Sequence, residues 1–161
     1  MITFENGLQL ELADLLATDA FASALAKALT PGLCLYLHGN LGAGKTTLVR
    51  AMLSALGHNG SIKSPTYSLV ELYSVDGMDF YHFDLYRLSN ATELDYIGIR
   101  DYMLTSAICV FEWADRGMGF IPAADIEITL DFAGEGRSAV LLANTPKGLQ
   151  VLKDLTMGYI E

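Results

Sequence analysis

Eight consecutive residues have the types and spacing of a phosphate-binding loop. Residues 39–46 read G-N-L-G-A-G-K-T, which places fixed glycines ahead of Lys45 and Thr46. Backbone N–H groups can surround a phosphate only where the chain curls tightly, so glycine is needed where φ is positive or a side chain would clash. In this pattern the lysine reaches the β- and γ-phosphates and the final hydroxyl binds Mg²⁺. The motif predicts a nucleotide site in which Lys45 binds phosphate and Thr46 binds the metal.

Two acidic residues that follow apolar segments are candidates for the metal side of this site. Asp84 follows F-Y-H-F, and Glu112 follows I-C-V-F. A phosphate-binding loop works with a carboxylate at the end of a neighbouring strand, which holds Mg²⁺ or its water. Glu112 follows the more apolar segment and matches the Walker B position better, but the spacing leaves the two roles exchangeable. We expect both residues to act as metal ligands or catalytic groups.

Three further residues each have a functional and a structural interpretation. Thr66, in S-P-T-Y, stands where many such proteins place a mobile loop whose threonine senses Mg²⁺ and the γ-phosphate, but an ordinary turn also fits. Arg87 could approach the nucleotide or form a surface ion pair. Trp113 could pack in the core or form a contact surface. The histidines lack metal-ligand spacing and are assigned no chemistry; they are His38, His58 and His82.

Hydrophobic patterning supplies the elements that would position these residues. The apolar run at 33–37 predicts a strand, and the sequence from Lys45 onward predicts a helix. The Asp76-Gly77 pair predicts an antiparallel hairpin. Residues 91–103 have helical periodicity that is interrupted at Gly98. A helix over 18–29 is expected to be capped by Thr18 or Asp19, and further strands are expected over 8–12, 68–73, 80–83, 107–111, 126–132 and 138–143.

These elements predict an α/β fold of the P-loop NTPase type. Strands that alternate with helices early in the chain and pair with each other later indicate a mixed sheet, mostly parallel at its centre. We expect helices to flank this sheet and antiparallel strands to extend it. The length of 161 residues fits a single ATPase domain over residues 1–161.

The composition argues against several classes of protein. The chain has 10 Lys and Arg against 19 Asp and Glu, a formal net charge of −9, and it has no basic run. Tight binding to a nucleic-acid backbone needs cations that displace counterions, so we expect no DNA binding and only indirect contact with RNA. No segment is apolar enough to predict a membrane span or a secretion signal. Cys34 and Cys109 lie in apolar runs and are expected to be buried, reduced thiols, which fits a cytoplasmic protein.

Five short motifs follow one another in order over residues 36–113. They read G-N-L-G-A-G-K-T-T, S-P-T-Y, H-F-D-L-Y-R, G-I-R-D-Y and F-E-W. This ordered series resembles the bacterial TsaE family, known earlier as YjeE. The resemblance implies an ATPase, with ATP and Mg²⁺ as cofactors, that works with TsaB-like and TsaD-like partners. Together they would make threonylcarbamoyladenosine at position 37 of tRNAs, and the partners would hold the tRNA.

The resemblance also implies roles for individual residues. Lys45 resembles the phosphate lysine of the family, and Thr46 resembles a Mg²⁺ ligand. Glu112 and Asp84 resemble the acidic positions that bind metal or act in catalysis. The catalytic set implied is therefore Glu112, Asp84 and Lys45, and the metal set is Thr46, Glu112 and Asp84.

The nucleotide-binding set implied by the resemblance is larger. Thr66 resembles the switch-like threonine, Arg137 a late nucleotide-contacting arginine, and Trp113 a tryptophan near the site. The expected nucleotide contacts are Gly39, Asn40, Leu41, Gly42, Ala43, Gly44, Lys45, Thr46, Thr47, Thr66 and Arg137.

Two other nucleotide-dependent functions compete with this interpretation. A small-molecule kinase can carry the same loop, but it usually needs a substrate site rich in arginine, and the five arginines here are scattered singly. A GTPase switch is less favoured: D-F-A-G at 131–134 comes late in the chain, and no guanine-reading segment follows. Because no arginine stands at an obvious finger position, we expect slow ATP turnover by the chain alone.

Overall fold

The fold is that of a computed structural model, which describes residues 1–103 and 106–160. Strands and helices alternate through most of the chain. The strands are β1 (Ile2–Phe4), β2 (Gly7–Leu12), β3 (Cys34–His38), β4 (Val70–Val75), β5 (Met78–Asp84), β6 (Ile108–Glu112), β7 (Ile126–Ala133) and β8 (Gly136–Ala143). The helices are α1 (Leu15–Ala28), α2 (Lys45–Ala55), α3 (Glu93–Tyr96), α4 (Ile99–Met103) and α5 (Pro146–Ile160), and a 3₁₀ turn covers Ala114–Gly117.

All eight strands join one mixed sheet in the order β1-β2-β8-β7-β3-β6-β5-β4. The four central strands, β7, β3, β6 and β5, are mutually parallel. The outer pairings are antiparallel. The predicted α/β fold, parallel at the centre with antiparallel additions, is confirmed. Because the central strands are parallel, the ends of β3, β5 and β6 meet at one edge of the sheet.

The β4–β5 hairpin forms where the sequence predicts it. Val75 pairs with Met78, so only Asp76 and Gly77 make the turn. Both turn residues have positive φ, 50° and 74°, as a type I′ turn requires. The hairpin brings the end of β5, and with it Asp84, beside β6.

The start of α1 differs from the prediction. The helix begins at Leu15, and the side chain of Asp14 caps it by accepting a 2.8 Å hydrogen bond from the Ala17 N–H. The predicted caps, Thr18 and Asp19, therefore lie inside the helix. Thr18 instead donates its hydroxyl to the Asp14 carbonyl at 3.2 Å. The hydrophobic pattern predicts a later start for α1 because Leu15 and Leu16 are exposed and do not belong to the buried face of the helix.

Two elements have no counterpart in the sequence-based expectations. The strand β1 spans only three residues, too few to show alternation. The helix α5 contains Gly148 and Gly158, which lower helix propensity. It nevertheless has a recognisable start, because Pro146 is its first residue and the Thr145 hydroxyl accepts the Gly148 N–H at 3.0 Å.

The sheet separates two apolar clusters. One joins Leu35 of β3 to α1, α2 and α5, and the other joins Tyr36 to α3 and α4. Alternate residues of a strand point to opposite faces, so β3 contributes to both clusters. Cys34 and Cys109 are buried free thiols, as expected, and burial raises the pKa of both. Among the described residues, no helix combines the length and apolar character needed to cross a bilayer.

Leu35 lies at the centre of the sheet and gives a direct test of this packing. It is fully buried between β6 and β7. Leu35→Ala should lower the free energy of unfolding by about 2–5 kcal/mol, because it removes buried methyl groups and leaves a cavity. The matched control is Leu72→Ala on the edge strand β4, where the side chain is 55% exposed. This control should change the free energy by no more than about 0.5 kcal/mol. Urea unfolding measures both values, and equal losses would contradict the packing described.

Candidate nucleotide-binding site

The predicted phosphate loop lies between β3 and α2, and its backbone adopts conformations that favour glycine. Gly39 has φ of 145°, and a Cβ atom there would lie 2.5 Å from the carbonyl oxygen of Leu130. Gly44 has φ of 107° and caps α2. Since α2 begins at Lys45, the free N–H groups of its first turn point into the loop. Such a helix start favours binding of an anion.

Lys45 is a nearly buried cation, with only 5% of its surface exposed. Its Nζ donates a hydrogen bond to the carbonyl of Gly39 and lies 4.1 Å from the centre of the Trp113 ring. Burial lowers the pKa of the Lys45 ammonium, and the nearby negative charges of Glu112, Asp84 and Asp115 oppose that shift. The ammonium has lost part of its hydration, so an anionic ligand would stabilise it further.

Glu112 ends β6 beside β3 and β5, and its carboxylate is almost completely buried. Only 2% of the Glu112 surface is exposed. The Thr46 hydroxyl donates to it at 3.1 Å from Oε2 and 3.2 Å from Oε1. Nε2 of His82 lies 2.6 Å from the same Oε2. Glu112 therefore connects the first turn of α2 to the interior of β5.

Asp84 ends β5 and pairs in register with Glu112 on the neighbouring strand. It accepts the Tyr86 N–H at 2.9 Å and the Thr66 hydroxyl at 3.3 Å. Thr66 also shares a 2.7 Å hydrogen bond with the Ser64 hydroxyl. The segment that could have been an ordinary turn thus brings Thr66 to an acidic residue of the site.

One cleft of about 350 Å³ brings most of the predicted site residues together. Its lining includes Leu41, Gly42, Gly44, Lys45, Thr46, Thr47, Thr66, Asp84, Arg87, Glu112 and Trp113. Thr47, Gly42 and Gly44 also line a second pocket of about 180 Å³ on the other side of the loop, together with Ala43 and Arg137. Gly39 and Asn40 line a third pocket of about 230 Å³, together with Lys45 and Trp113.

Arg137, predicted to contact nucleotide, supports the loop in this structure. Its guanidinium donates to the carbonyls of Ala43 at 3.0 Å and Gly42 at 3.2 Å. It also lies 4.4 Å from the centre of the Phe132 ring. Its observed partners are main-chain carbonyls of the loop, and contact with a nucleotide stays a prediction.

Arginines that are far apart in the sequence gather around the cleft. Arg87 donates to the Tyr67 hydroxyl at 3.2 Å and lies over that ring, and Arg116 donates to the Tyr86 carbonyl. Within the described ranges, neither these guanidinium groups nor that of Arg137 pairs with a carboxylate. Arg87 lines the cleft, Arg116 binds Tyr86 at its lining, and Arg137 lines the second pocket.

Trp113 both packs and faces the site. Its backbone adopts the left-handed conformation, with φ of 58° and ψ of 42°, which is uncommon for a residue other than glycine. The ring covers the Lys45 ammonium and contacts Tyr86, with ring centres 5.1 Å apart. Strain of this kind is often found at functional sites. The left-handed turn directs the chain away from β6 immediately after Glu112.

His82 is the site residue that the sequence analysis missed. It was assigned no chemistry because it has no metal-ligand spacing, yet it contacts Glu112 from inside the fold. The sequence H-F-D at 82–84 does contain an indication of this contact. Alternate residues of a strand share a face, so His82 lies on the same side of β5 as Asp84. Metal spacing was the wrong criterion, because this histidine contacts a carboxylate.

The donor set fits Mg²⁺ only in combination with phosphate oxygens. Among the described residues, no group of three or more His, Cys, Asp or Glu side chains could hold a metal ion by itself. Mg²⁺ commonly binds through one or two carboxylates together with substrate phosphates and water. The hydroxyl of Thr46 and the carboxylates of Asp84 and Glu112 provide oxygen donors of that kind.

Comparisons with known proteins identify the family of the chain. A family model described as "Threonylcarbamoyl adenosine biosynthesis protein TsaE" matches residues 12–139. The curated TsaE of Haemophilus influenzae is 48% identical over 133 residues, covering 82% of this chain and 84% of its own. The TsaE of Bacillus subtilis is 32% identical over 118 residues, covering 73% of each chain.

A solved structure extends the comparison to the whole fold. The crystal structure of Bacillus subtilis YdiB superposes with a TM-score of 0.78 at 25% identity, covering 96% of this chain and 98% of that one. The phosphate loop, the acidic strand ends and these matches lead to the same conclusion. The chain belongs to the TsaE family.

Proposed function

We propose that this protein is a Mg²⁺-dependent ATPase that assists the synthesis of threonylcarbamoyladenosine at position 37 of tRNA. The observation that carries the proposal is the convergence of Lys45, Thr46, Asp84 and Glu112 on one cleft. These residues come from α2, β5 and β6, whose relevant ends meet at one edge of the sheet. The proposal also agrees with the printed names of the relatives, which are tRNA threonylcarbamoyladenosine biosynthesis proteins.

The loop and Lys45 would bind the triphosphate. The N–H groups at the start of α2 would donate to phosphate oxygens. Lys45 would exchange the Gly39 carbonyl for a phosphate oxygen, which is a stronger acceptor because it is charged. Trp113 would keep water from the outer face of the ammonium.

Thr46 and Glu112 would form the metal side. When bound, Mg²⁺ supplies a Lewis acid that neutralises charge on the phosphates. The Thr46 hydroxyl can offer its oxygen to the metal while it still donates its hydrogen to the Glu112 carboxylate, because the two groups are already hydrogen bonded. This geometry is the reason to assign Glu112, rather than Asp84, to the metal side.

Asp84 would orient the attacking water. The water oxygen bonds to the γ-phosphorus while the bond to the bridging oxygen breaks, so ADP leaves with that oxygen. Asp84 accepts the proton lost by the water and later releases it to solvent. Thr66, which donates to Asp84, would place this carboxylate according to the state of the γ-phosphate.

The charge distribution favours a partner-dependent role. The net charge of −9 opposes direct binding to tRNA, so TsaB-like and TsaD-like partners would hold the RNA. Arg87 at the cleft and Arg137 on the loop would add local positive charge for a triphosphate. In the described part of the chain these arginines donate to protein carbonyl or hydroxyl oxygens, so we expect slow hydrolysis until a partner completes the site.

The role of Thr46 can be tested with two substitutions. Thr46→Ala removes the hydroxyl and should raise the Mg²⁺ concentration for half-maximal ATP hydrolysis by at least about tenfold. The matched control, Thr46→Ser, keeps a hydroxyl and should retain Mg²⁺ dependence close to the wild type. Hydrolysis is followed as phosphate release over a Mg²⁺ titration. Normal Mg²⁺ stimulation of Thr46→Ala would contradict the assignment.

Partner dependence is the test of the whole proposal. ATP hydrolysis is measured for the chain alone and with candidate TsaB-like and TsaD-like proteins, and co-elution is followed with and without ATP. Alone, the protein should turn over roughly 10⁻² ATP per second or less. With partners it should form an ATP-responsive complex and hydrolyse faster. The control is Lys45→Ala, which should abolish both responses.

Two results would contradict the proposal. The first is turnover of many ATP per second by the chain alone. The second is transfer of the γ-phosphate to a small metabolite without any complex, which is the outcome expected of a small-molecule kinase.

A further inference from the structure

We infer that His82 is a positioning residue that fixes the Glu112 carboxylate for metal binding. The inference rests on the proposed function, because it takes Glu112 as the acid on the metal side. His82 is fully buried on β5, two residues before Asp84 and on the same face of the strand. It is too deep to contact solvent, so its effect on the cleft passes through Glu112.

The contact geometry identifies which nitrogen carries hydrogen. Nε2 lies 2.6 Å from Oε2 of Glu112, a short hydrogen bond typical of an ionised acceptor. An ionised carboxylate can only accept, so Nε2 must donate. Nδ1 is buried and has no hydrogen-bond partner within the part of the chain that the structure describes. Nε2 is therefore the nitrogen through which His82 donates to Glu112.

The hydrogen bond from His82 fixes the Glu112 carboxylate more firmly than the Thr46 hydroxyl alone can do. The Thr46 hydroxyl lies 3.1 Å and 3.2 Å from the two carboxylate oxygens, so it bonds to neither at short distance. It also has to adjust when a metal reaches it. The His82 bond is shorter and comes from a rigid strand in the core. Two donors from different elements, α2 and β5, keep the Glu112 carboxylate in one orientation and compensate its buried charge.

The chain contains a matched control in a second histidine–glutamate pair. Nε2 of His38 lies 2.8 Å from Oε1 of Glu127, and both side chains are about one third exposed. This pair joins β3 to β7, and neither residue lines the cleft that contains Glu112. Loss of its hydrogen bond should leave the metal side unchanged.

The principal test measures metal binding, independently of catalysis. Mn²⁺ binding in the presence of ADP is measured by electron paramagnetic resonance for the wild type, His82→Phe, His82→Gln and His38→Phe. The phenyl ring fills the space without a donor, whereas the glutamine amide can reach Glu112. We expect His82→Phe to weaken Mn²⁺ binding by about 10- to 100-fold. His82→Gln should recover most of the loss, and His38→Phe should match the wild type.

Two controls separate positioning from loss of fold. Thermal melting shows whether each variant folds, and metal-free ADP affinity, followed by fluorescence of Trp113, should remain that of the wild type in every variant. If His82→Phe does not fold, His82→Asn replaces it, since asparagine is polar but too short to reach Glu112. A folded His82→Phe or His82→Asn with wild-type Mn²⁺ affinity overturns the inference. Equal weakening by His82→Gln also overturns it.

A readout without metal or nucleotide tests the hydrogen bond itself. Nuclear magnetic resonance of ¹⁵N-labelled histidines should show the His82 hydrogen on Nε2 in the free protein. Absence of a hydrogen from Nε2 would overturn the inference.

Glu112→Gln distinguishes the failure of the inference from failure of the proposed function. This variant should weaken Mn²⁺ binding as His82→Phe does. If Glu112→Gln has no effect, the assignment of Glu112 to the metal side fails and the inference fails with it. If Glu112→Gln weakens binding and His82→Phe does not, only the role of His82 is overturned.

Discussion

The buried carboxylate of Glu112 is the group on which the rest of the site depends. A carboxylate that is 2% exposed is stable only if hydrogen bonds replace its lost hydration. Thr46 provides one from the start of α2, and His82 provides another from the middle of β5. The need to satisfy this one charge therefore sets the distance between the phosphate loop and β5.

The parallel centre of the sheet makes that arrangement available. Because β3, β6 and β5 run in the same direction, the loop after β3 and the acids that end β5 and β6 meet at one edge. The left-handed turn at Trp113 then lays an aromatic ring over Lys45. The result is a buried cation next to two buried acids, in which Lys45 donates to the Gly39 carbonyl and each acid accepts a hydrogen bond from a threonine.

The features that the sequence predicts correctly are those that local chemistry determines. The loop, the Asp76-Gly77 hairpin and the acids after apolar strands all depend on neighbouring residues, so the pattern shows them. The predicted start of α1 is wrong because Leu15 and Leu16 are helical but exposed. The role of His82 and the gathering of Arg87, Arg116 and Arg137 depend on contacts between distant segments, which spacing along the chain does not encode. The scattered arginines count against a small-molecule kinase, and their spacing does not show that Arg87 lines the cleft and Arg137 binds the loop.

The most direct test is a crystal structure of the protein with Mg²⁺ and a non-hydrolysable ATP analogue. We expect the triphosphate inside the loop, with Lys45 Nζ moved from the Gly39 carbonyl to a phosphate oxygen. Mg²⁺ should bind the Thr46 hydroxyl, and Glu112 should contact the metal or its water while remaining bonded to His82. A triphosphate bound outside the loop, or a metal held without Thr46 and Glu112, would contradict the account.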